Sequence, residues 1–206
     1  MRYTGPKNKL ARREGADLGL KTPGSKSHAS LLRRLNVLPG QHGIRKRRKL
    51  TERSRQLREK QKLRFLFGIT ESQLKKYFKR AVKMKGNTGD NLCQLLEKRL
   101  DNVVYRLGFA PTRTAARQLV GHQHVAVNGK TINIPSYKVS VKQQVAFAKE
   151  KTMKIPQVES ILANKTIIIP TWLERKGAIG ILKAEPTSEE VEKQINLRPV
   201  IEFYSR

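Results

Sequence analysis

Apolar side chains recur at helical spacing through the centre of the chain. One series is formed by Leu92, Leu96, Leu100, Val103, Val104 and Leu107. Residues three and four apart share one face of a helix, so this series predicts a single continuous helix with one buried face. Gly108 is expected to end it, because glycine readily adopts the left-handed conformation of a helix stop.

Two further helices are predicted on either side of this one. Upstream, a helix begins at the capping box formed by Thr70 and Gln73, and its apolar face consists of Leu74, Phe78, Ala81 and Val82. Downstream, Thr112 is a fitting N-cap for a shorter helix, whose inward face is supplied by Ala116, Leu119 and Val120. Arg113 and Arg117 lie four apart and share another face of that helix.

The later part of the chain has the pattern of a small β-sheet. Asn128-Gly129, between two apolar segments, is the strongest short-range signal for a hairpin. Alternation predicts half-buried strands over Tyr137–Val141 and Gln144–Ala148, and Val200–Tyr204 alternates in the same way. We also expect a short helix over Pro156–Asn164, a strand over Lys165–Ile169, a further segment at Gly177–Leu182, and an acidic helix start at Ser188–Glu190.

Charge is distributed unevenly along the chain. The sequence has 44 Lys and Arg residues against 16 Asp and Glu residues, a formal net charge of +28. Residues 1–64 hold +16 of this charge and residues 150–206 only +1. Such self-repulsion favours a polyanionic partner, and nucleic acid is the usual one. The simpler alternative is a generically basic protein, but the uninterrupted cations of Arg45–Lys49 argue against it, because solubility alone favours mixed signs.

The short helix and the hairpin supply a compact set of cations and hydrogen-bonding side chains. The members of this set are Arg113, Arg117, Gln118, His122, Lys130, Ser136 and Tyr137. Donors on rigid elements suit a phosphate backbone better than a catalytic cleft. We therefore predict a nucleic-acid-binding surface here, and no catalytic site.

Other chemistry finds little support in the residues. A single cysteine, Cys93, excludes an internal disulfide and a cysteine zinc cluster. The pair His122 and His124 lacks nearby cysteine or carboxylate ligands and is a poor zinc site, so RNA contact or turn packing is the better interpretation. Trp172 is interpreted as a packing residue, with contact to a partner protein as the alternative. No secretory signal or membrane-spanning run is visible, which indicates a cytosolic or organelle-matrix protein.

Several motifs together resemble one family. They are Arg2–Pro6, Arg12–Gly15, the loop Pro39–Gly43, the basic helix Leu57–Lys62 and the end of the chain, Glu202–Arg206. The whole chain looks like bacterial-type small-subunit ribosomal protein four. Its centre is similar to the RNA-binding module named after that protein, which also occurs in tRNA synthetases, pseudouridine synthases and heat-shock factors.

The resemblance implies an α+β fold with three parts. Residues 1–47 form a basic, loop-rich N-terminal arm that becomes ordered on its partner. Residues 48–90, completed by 180–206, form a helical domain. Residues 91–179 form the inserted RNA-binding module, in which two short helices pack on a small, mainly antiparallel β-sheet with a hairpin.

The resemblance also implies the function. Family members are structural, not enzymatic, and bind small-subunit ribosomal RNA at a helix junction of its 5′ domain, where they nucleate assembly of the subunit body. Arg45 and Arg48 match family residues that line the entrance path of mRNA, together with small-subunit proteins three and five. Contacts with protein five are linked to decoding accuracy. The implied setting is the cytoplasmic ribosome of a bacterium, with an organelle ribosome as the alternative, and the protein is not an obligate homo-oligomer.

Further RNA contacts are expected in the arm, the basic helix and the module. They are Arg2, Tyr3, Lys7, Arg12, Arg13, Gln41, His42, Arg47, Arg53, Arg58, Lys60, Lys62 and His124, in addition to the set on the short helix and hairpin.

Two departures from the family pattern matter. Many relatives bind zinc through four cysteines in the first fifty residues, whereas this chain has none there. It resembles the zinc-free branch, so we expect no cofactor and an arm ordered by RNA contacts. Lys142-Gln143-Gln144 stands where relatives usually have a Gly-Asp turn, which makes the geometry of that turn an open question.

Two other classes of protein share some of these features. An RNA-modifying enzyme could use the same module, and Arg99-Leu100-Asp101 is similar to the motif that carries the nucleophile of pseudouridine synthases. The glycine that precedes that motif and the residues that follow it there are missing, so a local salt bridge from Asp101 to Arg106 or Lys98 is the preferred interpretation. A DNA-binding architectural protein would share the charge but not the module.

Overall fold

The fold is described from a computed structural model that covers residues 3–43, 49–163, 168–188, 191 and 195–205. The chain divides into two compact units. A helical unit comprises Met1–Leu92 and Ser188–Arg206, and the module comprises Cys93–Thr187. The predicted α+β class is confirmed. The predicted bounds of the module and its extension, residues 91–179, stay a prediction.

The helices are, in chain order, α1 Lys7–Glu14, α2 Lys26–Arg33, α3 Glu52–Leu66, α4 Glu71–Lys83, α5 Thr88–Glu97, α6 Leu100–Arg106, α7 Arg113–Gly121, α8 Pro156–Leu162 and α9 Leu197–Tyr204. The strands are β1 Val125–Val127, β2 Lys130–Thr131, β3 Gln144–Phe147, β4 Leu173–Lys176 and β5 Ile179–Leu182. Among the described residues, no helix has both the length and the apolar character needed to cross a membrane.

The sheet of the module is antiparallel throughout, in the order β2-β1-β3-β5-β4. At the predicted hairpin, Val127 pairs with Lys130, and Asn128 and Gly129 both take positive φ, as the tight turn requires. The apolar faces of α6 and α7 join the sheet in one core, which contains Leu100, Val103, Val104, Leu107, Ala116, Val120, Val125 and Val145. Trp172 is buried in the same core, as the packing interpretation predicted.

The predicted continuous helix is instead two helices, α5 and α6. The backbone leaves the helix at Lys98 and Arg99, where Arg99 has extended angles of φ −68° and ψ 137°. Arg99 pairs with Lys138 in an isolated antiparallel bridge, and the amide of Val139 donates to the Lys98 carbonyl across 2.9 Å. The apolar series misled the prediction because its side chains are buried on both sides of the break.

Other predicted elements also differ. Val200–Tyr204 belongs to helix α9, where Leu197 and Val200 are buried at helical spacing and Asn196 caps the first turn. Tyr137–Val141 is not a strand and contributes only the bridge at Lys138. The predicted strand Lys165–Ile169 lies largely outside the described residues.

The structure forms a turn at Lys142 without a glycine. Lys142 takes a φ of 71°, in the left-handed region that glycine adopts most readily. The side chain of Gln143 accepts a hydrogen bond from the Ser140 amide across 2.8 Å. The hydrogen bond from the Ser140 amide to the Gln143 side chain therefore stabilises the turn, in which the positive φ of Lys142 is unfavourable for a residue other than glycine.

The N-terminal arm is less loop-rich than predicted. It contains α1 and α2, which bury Leu10, Ala11 and Leu31. The Arg12 guanidinium donates to the carbonyls of Val37 and Leu38 across 2.9 and 3.0 Å. The arm therefore has internal contacts of its own, which its low hydrophobicity did not lead us to expect.

Candidate nucleic-acid interface

A buried polar network holds α7 against α6. The carboxylate of Glu97 accepts hydrogen bonds from Arg106 across 2.7 and 3.1 Å, and it also accepts one from the Asn102 amide. The side-chain oxygen Oδ1 of Asn102 accepts a hydrogen bond from Nε of Arg113 across 2.8 Å. The network therefore links the end of α5, the face of α6 and the first turn of α7.

Arg113 is directed into this network. Its guanidinium lies 4.4 Å from the ring centroid of Tyr105, a distance typical of a cation–π contact. Burial lowers the pKa of Arg113 below its ordinary value, and the nearby Glu97 carboxylate opposes that shift. The predicted shared face of Arg113 and Arg117 exists, but it is turned toward polar residues of α6. RNA contact by Arg113 stays a prediction.

Asp101, in the first turn of α6, is the centre of a second group of polar contacts. Its carboxylate accepts two hydrogen bonds from the buried Arg99, across 3.0 and 2.6 Å, and one from Arg117 across 3.4 Å. Its backbone amide donates to the Pro135 carbonyl across 3.1 Å. The predicted local salt bridge is present, but with Arg99 and Arg117 in place of Arg106 or Lys98. A carboxylate that is 4 % exposed and paired in this way is poorly placed to act as a nucleophile.

The same group of polar contacts brings several predicted RNA contacts together. Ser136 and Tyr137 belong to the loop that is hydrogen-bonded to the start of α6, since the Leu100 amide donates to the Tyr137 carbonyl across 2.8 Å. Ser136 is exposed, and Arg117 is partly exposed. Asp101 therefore contacts a partly exposed guanidinium through its carboxylate and the loop before Ser136 through its backbone amide.

The remaining predicted contacts of the module lie at the end of α7 and on the hairpin. Gln118, His122 and Lys130 are exposed. The imidazole rings of His122 and His124 stack with centroids 6.3 Å apart, and His124 Nδ1 lies 3.0 Å from the Thr152 hydroxyl. Within the described residues, no group of three His, Cys, Asp or Glu side chains could hold a metal ion.

In the helical unit, several predicted contacts are exposed. Tyr3, Arg13, Gln41, His42 and Arg53 are exposed. Lys7 is half-buried, Arg12 donates to backbone carbonyls of the arm, Arg58 donates to the Arg13 carbonyl across 3.2 Å, and Lys62 pairs with Glu59 across 2.6 Å. Arg2, Arg45, Arg47 and Arg48 lie outside the described residues.

Lys60 differs from the other predicted contacts of this unit because it is buried. RNA contact by Lys60 stays a prediction. Its ammonium group pairs with Glu71 across 2.9 Å and lies 4.4 Å from the ring centroid of Phe203. Glu71 also accepts a hydrogen bond from the Tyr204 hydroxyl across 2.7 Å. Burial raises the pKa of Glu71, but the hydrogen bonds from Lys60 and Tyr204 outweigh it, so the net shift is downward. Lys60 therefore stabilises the packing of α9 on α3.

The sequence analysis did not single out Glu97 and Asn102, and it gave Asp101 a salt bridge without the link to Arg117. Each of the three is less than 5 % exposed. The available signal was the run of polar side chains at Glu97, Lys98, Arg99, Asp101 and Asn102 inside one apolar helical series, since buried polar groups must find partners.

Comparison with known families is consistent with this geometry. The family described as the Ribosomal protein S4/S9 N-terminal domain matches residues 2–97, and the S4 domain matches residues 98–145. These matches identify a ribosomal protein with an S4 RNA-binding domain.

Curated relatives extend the similarity to the whole chain. The small ribosomal subunit protein uS4 of Xanthomonas campestris pv. campestris (strain B100) is 46 % identical over 209 residues, which cover 100 % of this chain and 99 % of the relative. The uS4 proteins of Xanthomonas axonopodis pv. citri (strain 306) and Xanthomonas oryzae pv. oryzae (strain PXO99A) match to the same extent. The chain belongs to the uS4 family of small ribosomal subunit proteins.

Proposed function

We propose that this protein is a structural component of the small ribosomal subunit and binds the 5′ domain of its ribosomal RNA directly. Membership of the uS4 family supports the ribosomal role. The net charge of +28 supports a polyanionic partner. The relatives are bacterial proteins, so we place it on the cytoplasmic ribosome of a bacterium.

The observation that carries the proposal is the pairing of Asp101 with Arg117. The 3.4 Å contact restrains the guanidinium before RNA arrives. A donor held in advance loses less conformational entropy on binding than a free side chain does. Arg117, the exposed Gln118 and the Ser136 loop therefore present a fixed set of donors that matches one arrangement of phosphates.

The arm and helix α3 contribute in a different way. Arg13, Gln41, His42 and Arg53 are exposed and polar or cationic. Flexible cations neutralise phosphates without reading sequence, and each phosphate contact steepens the salt dependence of binding. We assign affinity mainly to these residues and shape recognition mainly to the module.

The finer roles follow from the family resemblance. We propose that the protein binds early and nucleates assembly of the subunit body. Arg45 and Arg48 would line the entrance path of mRNA near protein three, and contacts with protein five would influence decoding accuracy.

The test is a titration of the full chain against 5′-domain RNA at two salt concentrations, with an unrelated structured RNA as competitor. The Arg117→Ala variant is compared with Lys176→Ala, an equal charge change on an exposed residue of β4. A hydrogen bond to a charged group contributes about 1.5–3 kcal/mol, so we expect Arg117→Ala to lose roughly tenfold in affinity or more.

Thermal unfolding of each variant shows whether the fold is retained. Binding that resists the competitor, and that depends on Arg117 much more than on Lys176, supports the proposal. Equal losses at both positions, or equal binding of both RNAs, would leave only a polycation.

A further inference from the structure

Helix α4 of the helical unit has two opposite faces. Its buried face consists of Leu74, Phe78 and Ala81. At 3.6 residues per turn the other side of the helix carries five cations, all exposed, which are Lys75, Lys76, Lys79, Arg80 and Lys83. We call these five residues the α4 basic face. None of the expected RNA contacts belongs to it.

The α4 basic face has no counter-charge within the described part of the chain. None of its five residues takes part in an ion pair there. Glu71, the acidic residue in the first turn of α4, is occupied by Lys60 and Tyr204. Like charges four apart destabilise a helix slightly, so Lys75 and Lys79, or Lys76 and Arg80, gain nothing from each other.

We propose that the α4 basic face binds the phosphate backbone of structured RNA, as a contact additional to the Arg117 site. The proposal rests on the proposed function for the identity of that RNA. Lys75, Lys79 and Lys83 form a row that rises about 6 Å per step, and Lys76 and Arg80 form a second row beside it. A row of cations at this spacing can follow consecutive phosphates, which form a regular array of negative charge along a nucleic-acid strand.

The composition of the α4 basic face also indicates which part of the RNA it contacts. Four of its five residues are lysines, which act as flexible point charges and lack the planar fork of arginine. Such contacts set position and affinity and carry no sequence information. The face therefore adds a general backbone contact to the shape recognition by the module.

An anionic lipid surface is the other polyanion to consider. A helix that lies in a membrane interface inserts a broad apolar face beside its cations. The apolar face of α4 is buried in the protein, and exposed apolar side chains at its end are limited to Val82 and Met84. The observations therefore favour RNA.

The experiment measures the salt dependence of RNA binding by the full chain. The Lys75→Gln/Lys79→Gln variant is compared with Lys176→Gln/Lys183→Gln, which makes the same charge change at two exposed lysines that pair with Glu174. The slope of log affinity against log salt falls by about 0.7–0.9 for each phosphate that the protein no longer neutralises. We expect the first variant to reduce the slope by roughly 1.4–1.8 and the second to leave it nearly unchanged.

The salt-dependence slopes of the two double variants test the proposal. An unchanged slope for Lys75→Gln/Lys79→Gln overturns it. Equal changes in both double variants would show that RNA responds to the overall positive charge of the protein and not to a site on α4. If Arg117→Ala weakens binding while the α4 variant does not, the proposed function stands and this inference fails. Vesicles containing phosphatidylserine form a last arm: binding to them that depends on Lys75 and Lys79, without an effect on RNA, would reassign the face to lipid.

Discussion

The carboxylate of Asp101 lies 3.4 Å from a guanidinium nitrogen of Arg117, so an acidic residue of α6 restrains a basic residue of α7. The same carboxylate pairs with Arg99, which is 1 % exposed. One buried acid thus neutralises a buried cation and orients a partly exposed one. Asp101 therefore contributes to the stability of the module and, in the proposed function, to RNA recognition through Arg117.

We expect Asp101→Asn to destabilise the protein strongly. Asp101→Asn removes the carboxylate charge that faces the buried Arg99, and breaking a buried ion pair costs about 3–5 kcal/mol. Urea unfolding followed by circular dichroism measures the loss, with Glu150→Gln, an exposed position of the same module, as the control. A loss below about 1 kcal/mol would contradict the assigned role.

We expect Arg113→Ala and Gln118→Ala to separate stability from binding. Without Arg113, the Asn102 carbonyl loses its 2.8 Å donor in a buried site, at a cost of about 1–3 kcal/mol. Gln118 is exposed, so its replacement should weaken RNA binding and leave the unfolding free energy within about 0.5 kcal/mol. Unfolding and RNA titration on the same samples check both expectations, and an Arg113→Ala protein of wild-type stability would show that the network is dispensable.

We expect Gly180→Ala to destabilise the module, because β5 passes very close to α6. A Cβ atom at Gly180 would overlap with the side chain of the buried Leu107. Overpacking of this kind costs about 1–3 kcal/mol. Gly121→Ala is the matched control, since nothing lies within 4 Å of its Cβ position and alanine favours the end of α7. The difference in melting temperature between the two variants is the measurement.

We expect Glu14→Gln to stabilise the protein at neutral pH. Burial raises the pKa of Glu14 above its ordinary value of 4.5, although Arg58 and Lys62 oppose the shift. Its Oε2 atom is buried and has no hydrogen-bond partner among the described residues. Because the folded pKa exceeds the unfolded one, the favourable contribution of Glu14 is complete below pH 4.5 and is lost as the pH rises through the folded pKa.

The gain from Glu14→Gln should therefore be largest near pH 7 and vanish in acid. Unfolding curves at several pH values test this. Glu52→Gln serves as the comparison and should have the opposite sign, because an acid in the first turn of α3 favours the helix. A gain at Glu14 that persists below pH 4 would show that the charge is not its cause.

The correct predictions were those that depend on a few neighbouring residues. The Asn128-Gly129 turn formed as predicted. The Thr70 and Thr112 side chains cap α4 and α7, as their positions before helical runs indicated. Such local chemistry is complete within four or five residues, so the sequence alone contains it.

Other features depended on segments far apart in the chain. The helix break at Lys98 and Arg99 exists because residues near Lys138 supply the backbone partners. Lys60 is buried because α9, more than 130 residues later, brings Tyr204 to Glu71. Neither partner is visible in a local pattern, because only the folded chain places them in contact.

Local patterns were enough to predict the basic, partner-binding character and most turns and caps, and the family resemblance supplied the α+β class. Long-range packing determines which cations are available at the surface: Lys60 is buried and Arg113 is hydrogen-bonded to Asn102, whereas Arg117 is partly exposed and the α4 basic face is exposed. A charge pattern gives only the number of cations, because burial and pairing, which depend on residues far apart in the chain, determine what each cation can bind.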